Sequence, residues 1–353
     1  MMHLEDLETP VPVIALERVE RNLAKMQAYC RAHDLRLRPH IKTHKMPHLA
    51  RRQVELGASG ITCQKLGEAE VMVEAGIEDI LISFPLIGAA KAIRLAQLAR
   101  RARFTVAVDN PTALETAAKA ASVAGAAIGV LVEFDSGARR TGVATVAEAL
   151  ALARSVREAS GLSFDGLMTY PSTAATAGFV SEAKRVFGDS DIAIRVVSGG
   201  GTPNAWHAHE ISGLTEVRVG TYIYHDRATV AAGAASLDEC ALHVHATVVS
   251  RPTADRAVMD AGTKSLTSDT VAPSVGPGYG LILGYPDAVI ERLNEEHGMI
   301  DLSHSREKPA VGEVLRIVPN HVCVVSNLHD EIVISRDGRV IDTWRVAARG
   351  KTR

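Results

Sequence analysis

The chain has 353 residues, of which 46% are hydrophobic and 23% charged, with a net charge of -2. This is the balance of a globular protein with room for a large core, and a nearly neutral chain excludes the basic footprint of a nucleic-acid binder. The N-terminus, Met1-Met2-His3-Leu4-Glu5, has no basic or apolar leader region, and no run approaches about 18 uncharged apolar residues, so a cytoplasmic protein without a membrane partner is expected. Cys30, Cys63, Cys240 and Cys323 are far apart with no Cys-x-x-Cys pair, and free thiols are expected.

Pro12–Ala15 reads as a strand that could serve either of two domains. Eight β-rich apolar runs then follow in order: Leu35–Ile41, Gly60–Cys63, Asp79–Ser83, Phe104–Val108, Ile128–Phe134, Phe164–Met168, Ile192–Val197 and Thr215–Val219. Between most of them lie stretches with helical spacing, at Gly67–Ala75, Ala89–Arg100, Pro111–Ala121, Val146–Ala159 and Thr176–Phe187. Eight strand–helix alternations predict an α/β fold, a (β/α)8 TIM-like barrel over residues 10–235. A doubly wound open sheet shares the alternation but needs no eighth unit. After residue 235 the runs Leu242–Val249, Arg256–Met259, Val314–Ile317, His321–Val325, Glu331–Ile334 and Val340–Trp344 lack intervening helices. They predict a C-terminal antiparallel β-domain over 236–353, to which residues 1–9 could be added.

Barrel enzymes build their sites from the loops after the strands. Lys42 follows the first run, Gln64 the second, Asp109 the fourth, Asp135 through Arg140 the fifth and Tyr170 the sixth. Lys42 lies among Arg38, His40, His44 and Lys45, which would lower its pKa and expose the neutral amine that attacks a carbonyl; a solvated basic loop is the plainer alternative. Glycines at Ser198-Gly199-Gly200-Gly201-Thr202 and Gly220-Thr221, after the seventh and eighth runs, suit backbone capture of a phosphate. A lysine after the first strand and a phosphate cradle after the last two describe pyridoxal phosphate across a barrel mouth.

In these residues the chain resembles the fold-type III pyridoxal-phosphate enzymes, within them the D-threonine aldolase and D-serine dehydratase group. The resemblance covers nearly the whole chain. It rests on Arg38–Lys45, Asp135–Val143, Ser198–Thr202 and Pro319–Cys323, with Gly60–Glu68 and Gly166–Pro171 resembling bacterial D-threonine aldolase-like proteins. It implies that Lys42, not Lys45, carries the cofactor as a Schiff base, that Arg140 meets its phenolic oxygen side, and that Tyr170 lies by the pyridine ring. His40, Gln64, Ser198, Gly200, Gly201, Thr202, Gly220 and Thr221 complete the expected cofactor set.

His321 and Cys323 are two apart in a strand-like run, so both would point to one face and grip one ion. Alone such a pair is commonly a buried core feature, whereas the resemblance implies a divalent metal there. A thiolate favours zinc; oxygen ligands suit manganese or magnesium. The aldolases carry His-x-Asp and the dehydratases His-x-Cys, so Cys323 departs from the aldolase pattern. The expected activity is lysis of a small D-β-hydroxy amino acid to glycine and an aldehyde, with Lys42 and His321 as the catalytic residues. The first alternative is a D-serine or D-3-hydroxy amino acid dehydratase yielding a 2-oxo acid and ammonia; a non-catalytic pyridoxal-phosphate carrier or a racemase is the other. The resemblance further implies a homodimer. His207, His209 and His225 could reach a pocket or lie in solvated loops.

Overall fold

The computed structural model describes residues 3–353. The chain divides into two compact units: Met26–Lys42 with Pro47–Gly220 and Gly350–Arg353, and the residues up to Lys25 with Thr43–Met46 and Thr221–Arg349.

Strand β1 (Val11–Ala15) and helix α1 (Leu16–Ala32) open the chain, and the later residues of α1 belong to the first-named, barrel unit. Its strands are β2 (Arg36–Leu37), β3 (Ile61–Cys63), β4 (Asp79–Ile82), β5 (Arg103–Val108), β6 (Ile128–Glu133), β7 (Leu162–Met168), β8 (Val196–Gly200) and β9 (Glu216–Arg218). Between them run α2 (Pro47–Glu55), α3 (Leu66–Glu74), α4 (Ala89–Ala99), α5 (Pro111–Ala124), α6 (Val146–Glu158) and α7 (Ala174–Gly188). All neighbouring pairs are parallel, in the order β2-β9-β8-β7-β6-β5-β4-β3, and a parallel bridge between His40 and Thr62 joins the two ends. This is the expected (β/α)8 barrel. All six residues of β6 are buried, as a strand covered on both faces requires.

Local chemistry sets the helix ends. Asn110 accepts from Ala113 N at 2.9 Å to cap α5, Pro111 follows at the first helical position, and Gly125 ends the helix with φ 64°. Thr145 and Glu148 cap each other's backbone at α6.

One expected strand is displaced. Ile192–Val197 was read as the seventh run, but the strand is Val196–Gly200, so Ser198, Gly199 and Gly200 lie within it rather than after it. Packing explains the glycines: a Cβ at Gly199 would come 2.1 Å from Ser172 Oγ, and one at Gly200 2.8 Å from the Arg218 carbonyl.

The other unit holds β1, β10 (Leu242–Thr253), β11 (Arg256–Met259), β12 (Gly280–Ile282), β13 (Val289–Leu293), β14 (Gly298–Asp301), β15 (Val314–Pro319), β16 (Glu331–Arg336) and β17 (Arg339–Arg345). Its helices are α8 (Arg227–Ala231), α9 (Thr263–Leu266) and α10 (Val322–Leu328). The sheet runs β13-β14-β11-β10-β1-β16-β17, with β15 joining β10 to β12. It is antiparallel except that β1 and β16 are parallel, which corrects the expectation of a purely antiparallel domain.

The expected strand His321–Val325 is not one. His321 is extended (φ -144°, ψ 120°) at the N-cap position of α10, and Val322, Val325 and Ser326, at helical spacing, are the buried residues of that short helix. The valine-rich composition suggested β structure; the burial follows helical spacing. Among the described residues no helix is long and apolar enough to cross a membrane.

Candidate active site

In the barrel unit the chain leaves β2 through a 3-10 turn, Ile41–Thr43, that carries Lys42. Its Nζ lies 5.9 Å from the centre of the Tyr170 ring, and the Arg140 guanidinium carbon stands 4.6 Å from the same centre. Lys42, Arg140 and Tyr170, expected together, are therefore brought together from three strand ends. His40 forms a second group. Its Nδ1 accepts from the Lys42 backbone N–H at 3.3 Å, and its Nε2 lies 3.0 Å from Gln64 Oε1 and 3.2 Å from Ser83 Oγ. With Nδ1 accepting, the proton belongs on Nε2, which donates to Gln64.

Behind Arg140 is Glu133, at the end of β6. Its Oε1 accepts from Thr141 Oγ1 at 2.9 Å and lies 3.9 Å from Arg140 Nη2. Burial pushes the Glu133 carboxyl above the usual range, against the Thr141 hydrogen bond and the charges of Arg218 and Arg140.

Gly200 lies against the Tyr170 ring, where an added Cβ would come 3.2 Å from Cδ2. Gly201 (φ 120°) caps the 3-10 helix Thr202–Glu210, and Thr202 is buried. The Ser198 hydroxyl is not presented to this region: it donates to Glu216 Oε1 at 2.7 Å and accepts from Arg218 Nε at 2.9 Å inside the barrel. Gly220 ends the barrel unit.

In the other unit His321 Nδ1 lies 2.9 Å from Asp226 Oδ2, which also accepts from Val322 N at 3.2 Å. Asp226 Oδ1 takes Thr229 N at 2.8 Å and so caps α8, which leaves this fully buried carboxylate fixed at both oxygens. Burial works to lower the His321 pKa, but hydrogen bonds to Asp226 and Cys323 and their charges raise it to about 11. Cys323 Sγ also lies 3.1 Å from Thr43 Oγ1 and 3.9 Å from Thr221 Oγ1. Thr221, expected in the phosphate cradle, thus has its hydroxyl toward the thiol.

The remaining histidines go elsewhere. His207 is exposed and pairs with Glu210 at 3.0 Å, His209 takes the Tyr29 hydroxyl at 2.8 Å and stacks on His33, and His225 is buried with its pKa lowered to about 4 by desolvation.

Comparison with known proteins gives the family. The alanine racemase N-terminal domain family matches residues 14–228, and the serine dehydratase domain family matches 241–335. A D-threonine aldolase of Arthrobacter sp. is 40% identical over 99% of this chain and 95% of its own length. The chain belongs to the fold-type III pyridoxal-phosphate enzymes. Within that family a D-threo-3-hydroxyaspartate dehydratase of Delftia sp. is 32% identical, covering 96% of this chain and 97% of its own. The crystal structure of a D-threonine aldolase from Filomicrobium marinum superposes with a TM-score of 0.89 at 34% identity, over 99% of this chain and 98% of that one.

The residues present fit the family's cofactor. The N-terminus of the 3-10 helix Thr202–Glu210, with Gly201 at its cap, offers backbone N–H donors of the kind a phosphate takes. Two cationic side chains beside the Tyr170 ring, Lys42 and Arg140, suit an anionic, aromatic guest. Among the described residues no three His, Cys, Asp or Glu side chains are grouped to hold a metal. His321 and Cys323 supply two donors, however, and the Asp226 carboxylate on the imidazole Nδ1 is the usual brace of a metal-binding histidine. Sequence reasoning missed Asp226. The one available signal was its place in His225-Asp226-Arg227, three residues beyond the Gly220-Thr221 motif. Ser83 and Glu133 were missed too, both hidden inside runs taken as strands, Asp79–Ser83 and Ile128–Phe134.

Proposed function

We propose that this chain is a pyridoxal-phosphate- and divalent-metal-dependent lyase of the D-threonine aldolase type, which cleaves D-β-hydroxy amino acids between Cα and Cβ to glycine and an aldehyde. The observation that carries the reading is the His321–Cys323 pair braced by Asp226 at 2.9 Å, a soft donor set suited to zinc or, with further oxygen ligands, manganese or magnesium. Support for the metal comes also from a D-threo-3-hydroxyaspartate dehydratase, of which a Cys-to-Ala mutant has been solved in a metal-free form.

Bound pyridoxal phosphate supplies the electron sink for a bond broken at Cα, and a bound divalent metal the Lewis acid that acidifies a β-hydroxyl. The protein's part follows from its own groups. Lys42 would hold the cofactor through its amine, and the same amine would carry a proton at Cα. His40, tied to the Lys42 backbone and to Gln64, fixes the turn from which Lys42 projects. Arg140 and Tyr170 would hold the ring, and the backbone at Gly200, Gly201 and Thr202 would take the phosphate. His321 and Cys323 would hold the metal, which would replace the proton on His321 Nε2 while Asp226 keeps the one on Nδ1.

Cys323 favours a second reading. In a dehydratase the Lys42 amine removes the α-proton, the β-hydroxyl leaves as water, and the resulting enamine is hydrolysed to a 2-oxo acid and ammonia. A homodimer, which the resemblance implies, is part of the proposal. The test is product analysis of the cofactor-loaded protein with D-threonine, with and without manganese or zinc. Glycine and acetaldehyde support the aldolase, 2-oxobutyrate and ammonia replace it with the dehydratase, and no turnover of any D-β-hydroxy amino acid rejects both.

A further inference from the structure

The barrel has a second polar region, at the opposite ends of its strands from Lys42. Side chains that alternate along a strand share a face, and here that rule places Arg36 with Arg38, Asp79 with Leu81, Arg103 with Thr105, and Glu216 with Arg218. Barrel interiors are normally filled by layers of branched apolar side chains. An apolar layer is present: Leu81, Ala107, Leu131 and Met168, with Val196 against it. On the side of the strand N-termini, however, Leu81, Leu131 and Val196 form the floor of a cavity of about 360 Å³. Its walls are Arg36, Arg38, Arg103, Thr105, Asp165, Arg195 and Glu216. That volume falls in the range of small-molecule pockets, about 300–1,000 Å³.

The charges are not evenly matched. Four arginines, Arg36, Arg38, Arg103 and Arg195, face three carboxylates, Asp79, Asp165 and Glu216. Arg38 is buried and satisfies two of the three, with Nε 3.0 Å from Glu216 and Nη1 2.5 Å from Asp79. Arg195 holds Asp165 at 2.8 Å. That leaves Arg36 at 4.0 Å from Glu216 and Arg103 at 3.5 Å from Asp79, both pairs too loose and too exposed on the arginine side to contribute much. Their guanidinium groups, with the outer edge of Arg195, ring the mouth of the cavity as planar donors of the kind that grips carboxylate or phosphate oxygens in pairs.

We propose that this N-terminal mouth of the barrel is a ligand site separate from the one that carries Lys42. It takes a small oxyanion with at least two charged oxygens, either a dicarboxylate or a phosphate, held by Arg36, Arg103 and Arg195. Asp165 and Glu216 also line the cavity, but each already has an arginine, Asp165 paired with Arg195 and Glu216 with the buried Arg38.

The test uses the full-length, pyridoxal-phosphate-loaded protein, so that the cofactor's own phosphate cradle is filled. Succinate and inorganic phosphate are titrated separately by calorimetry at constant ionic strength. Arg36→Gln and Arg103→Gln are compared with Arg185→Gln, a substitution on the exposed face of α7 away from the cavity. The expected result is saturable binding of at least one anion that either cavity variant weakens about tenfold and Arg185→Gln leaves alone. The tighter of the two identifies the source. Absence of saturable binding below about 10 mM, or binding equally strong in the cavity variants, overturns the proposal. Because Arg36 and Arg103 are exposed, both variants are expected to keep the wild-type circular dichroism spectrum and melting temperature; if one does not, the double charge-retaining variant Arg36→Lys/Arg103→Lys replaces it, with the same required loss.

Discussion

In the barrel unit the groups of the candidate site come from separate strand ends: Lys42 after β2, Gln64 after β3, Arg140 after β6, Tyr170 after β7 and Gly200 from β8. In the other unit His321, Cys323 and Asp226 come from the starts of two short helices, and their geometry rests on side-chain hydrogen bonds. The difference teaches where each site is vulnerable. A barrel position is fixed by the sheet, so a substitution there removes a function and leaves the geometry. A position fixed by one carboxylate is lost with that carboxylate.

The largest effect is expected at Lys42. Lys42→Ala should abolish the visible absorbance of the bound cofactor and lower turnover by more than about 10³-fold, a loss beyond what a missing acid–base group alone causes. Lys45→Ala should keep both, and loss of the chromophore in that variant instead would move the assignment to Lys45. Next comes the barrel's interior. Arg38→Met leaves Glu216 buried without its partner and should destabilise the protein by about 3–5 kcal/mol in urea unfolding. An unchanged midpoint would show that the barrel does not depend on that pair.

Asp226→Asn sharpens the comparison from the other side. It keeps the shape but loses the carboxylate on His321 Nδ1, so metal affinity measured by titration should fall about 10- to 100-fold while cofactor absorbance stays. Equal affinity would remove Asp226 from the account. The smallest effect concerns pH. Burial lowers the pKa of His243 to about 3 and of His245 to about 4, both below the unfolded value near 6.5. Between these limits the unfolded chain binds protons that the folded one refuses. The stability these two neutral imidazoles contribute should therefore be full above about pH 6.5 and fall progressively toward pH 4. A melting temperature flat across that window would contradict the burial of these histidines in neutral form.

Much of this was legible in the sequence where a single period governed a run. The fully buried β6 and the capped α5 and α6 announce themselves by apolar runs and by Asn110-Pro111 and Thr145-x-x-Glu148. Lys42, Arg140 and Tyr170 were placed by the rule that barrel sites follow the strands. The strands β12, β13 and β14 were missed because each is only three to five residues long, too short for a period to show. The segment at His321 was misread because valine composition argues for strand, while the packing of Val322 and Val325 makes it a helix. The buried run Arg38–Glu216–Ser198–Arg218 could not be foreseen at all: Arg38 and Glu216 are 178 residues apart, and only barrel closure makes them neighbours.

The central claim, that one chain carries a cofactor lysine and an independent metal pair that serves the same cleavage, is tested most directly by His321→Ala. Cofactor absorbance and manganese- or zinc-stimulated cleavage of D-threonine should be measured on the same sample. The account predicts wild-type absorbance with the metal-dependent activity gone; full metal-stimulated activity in that variant would contradict it.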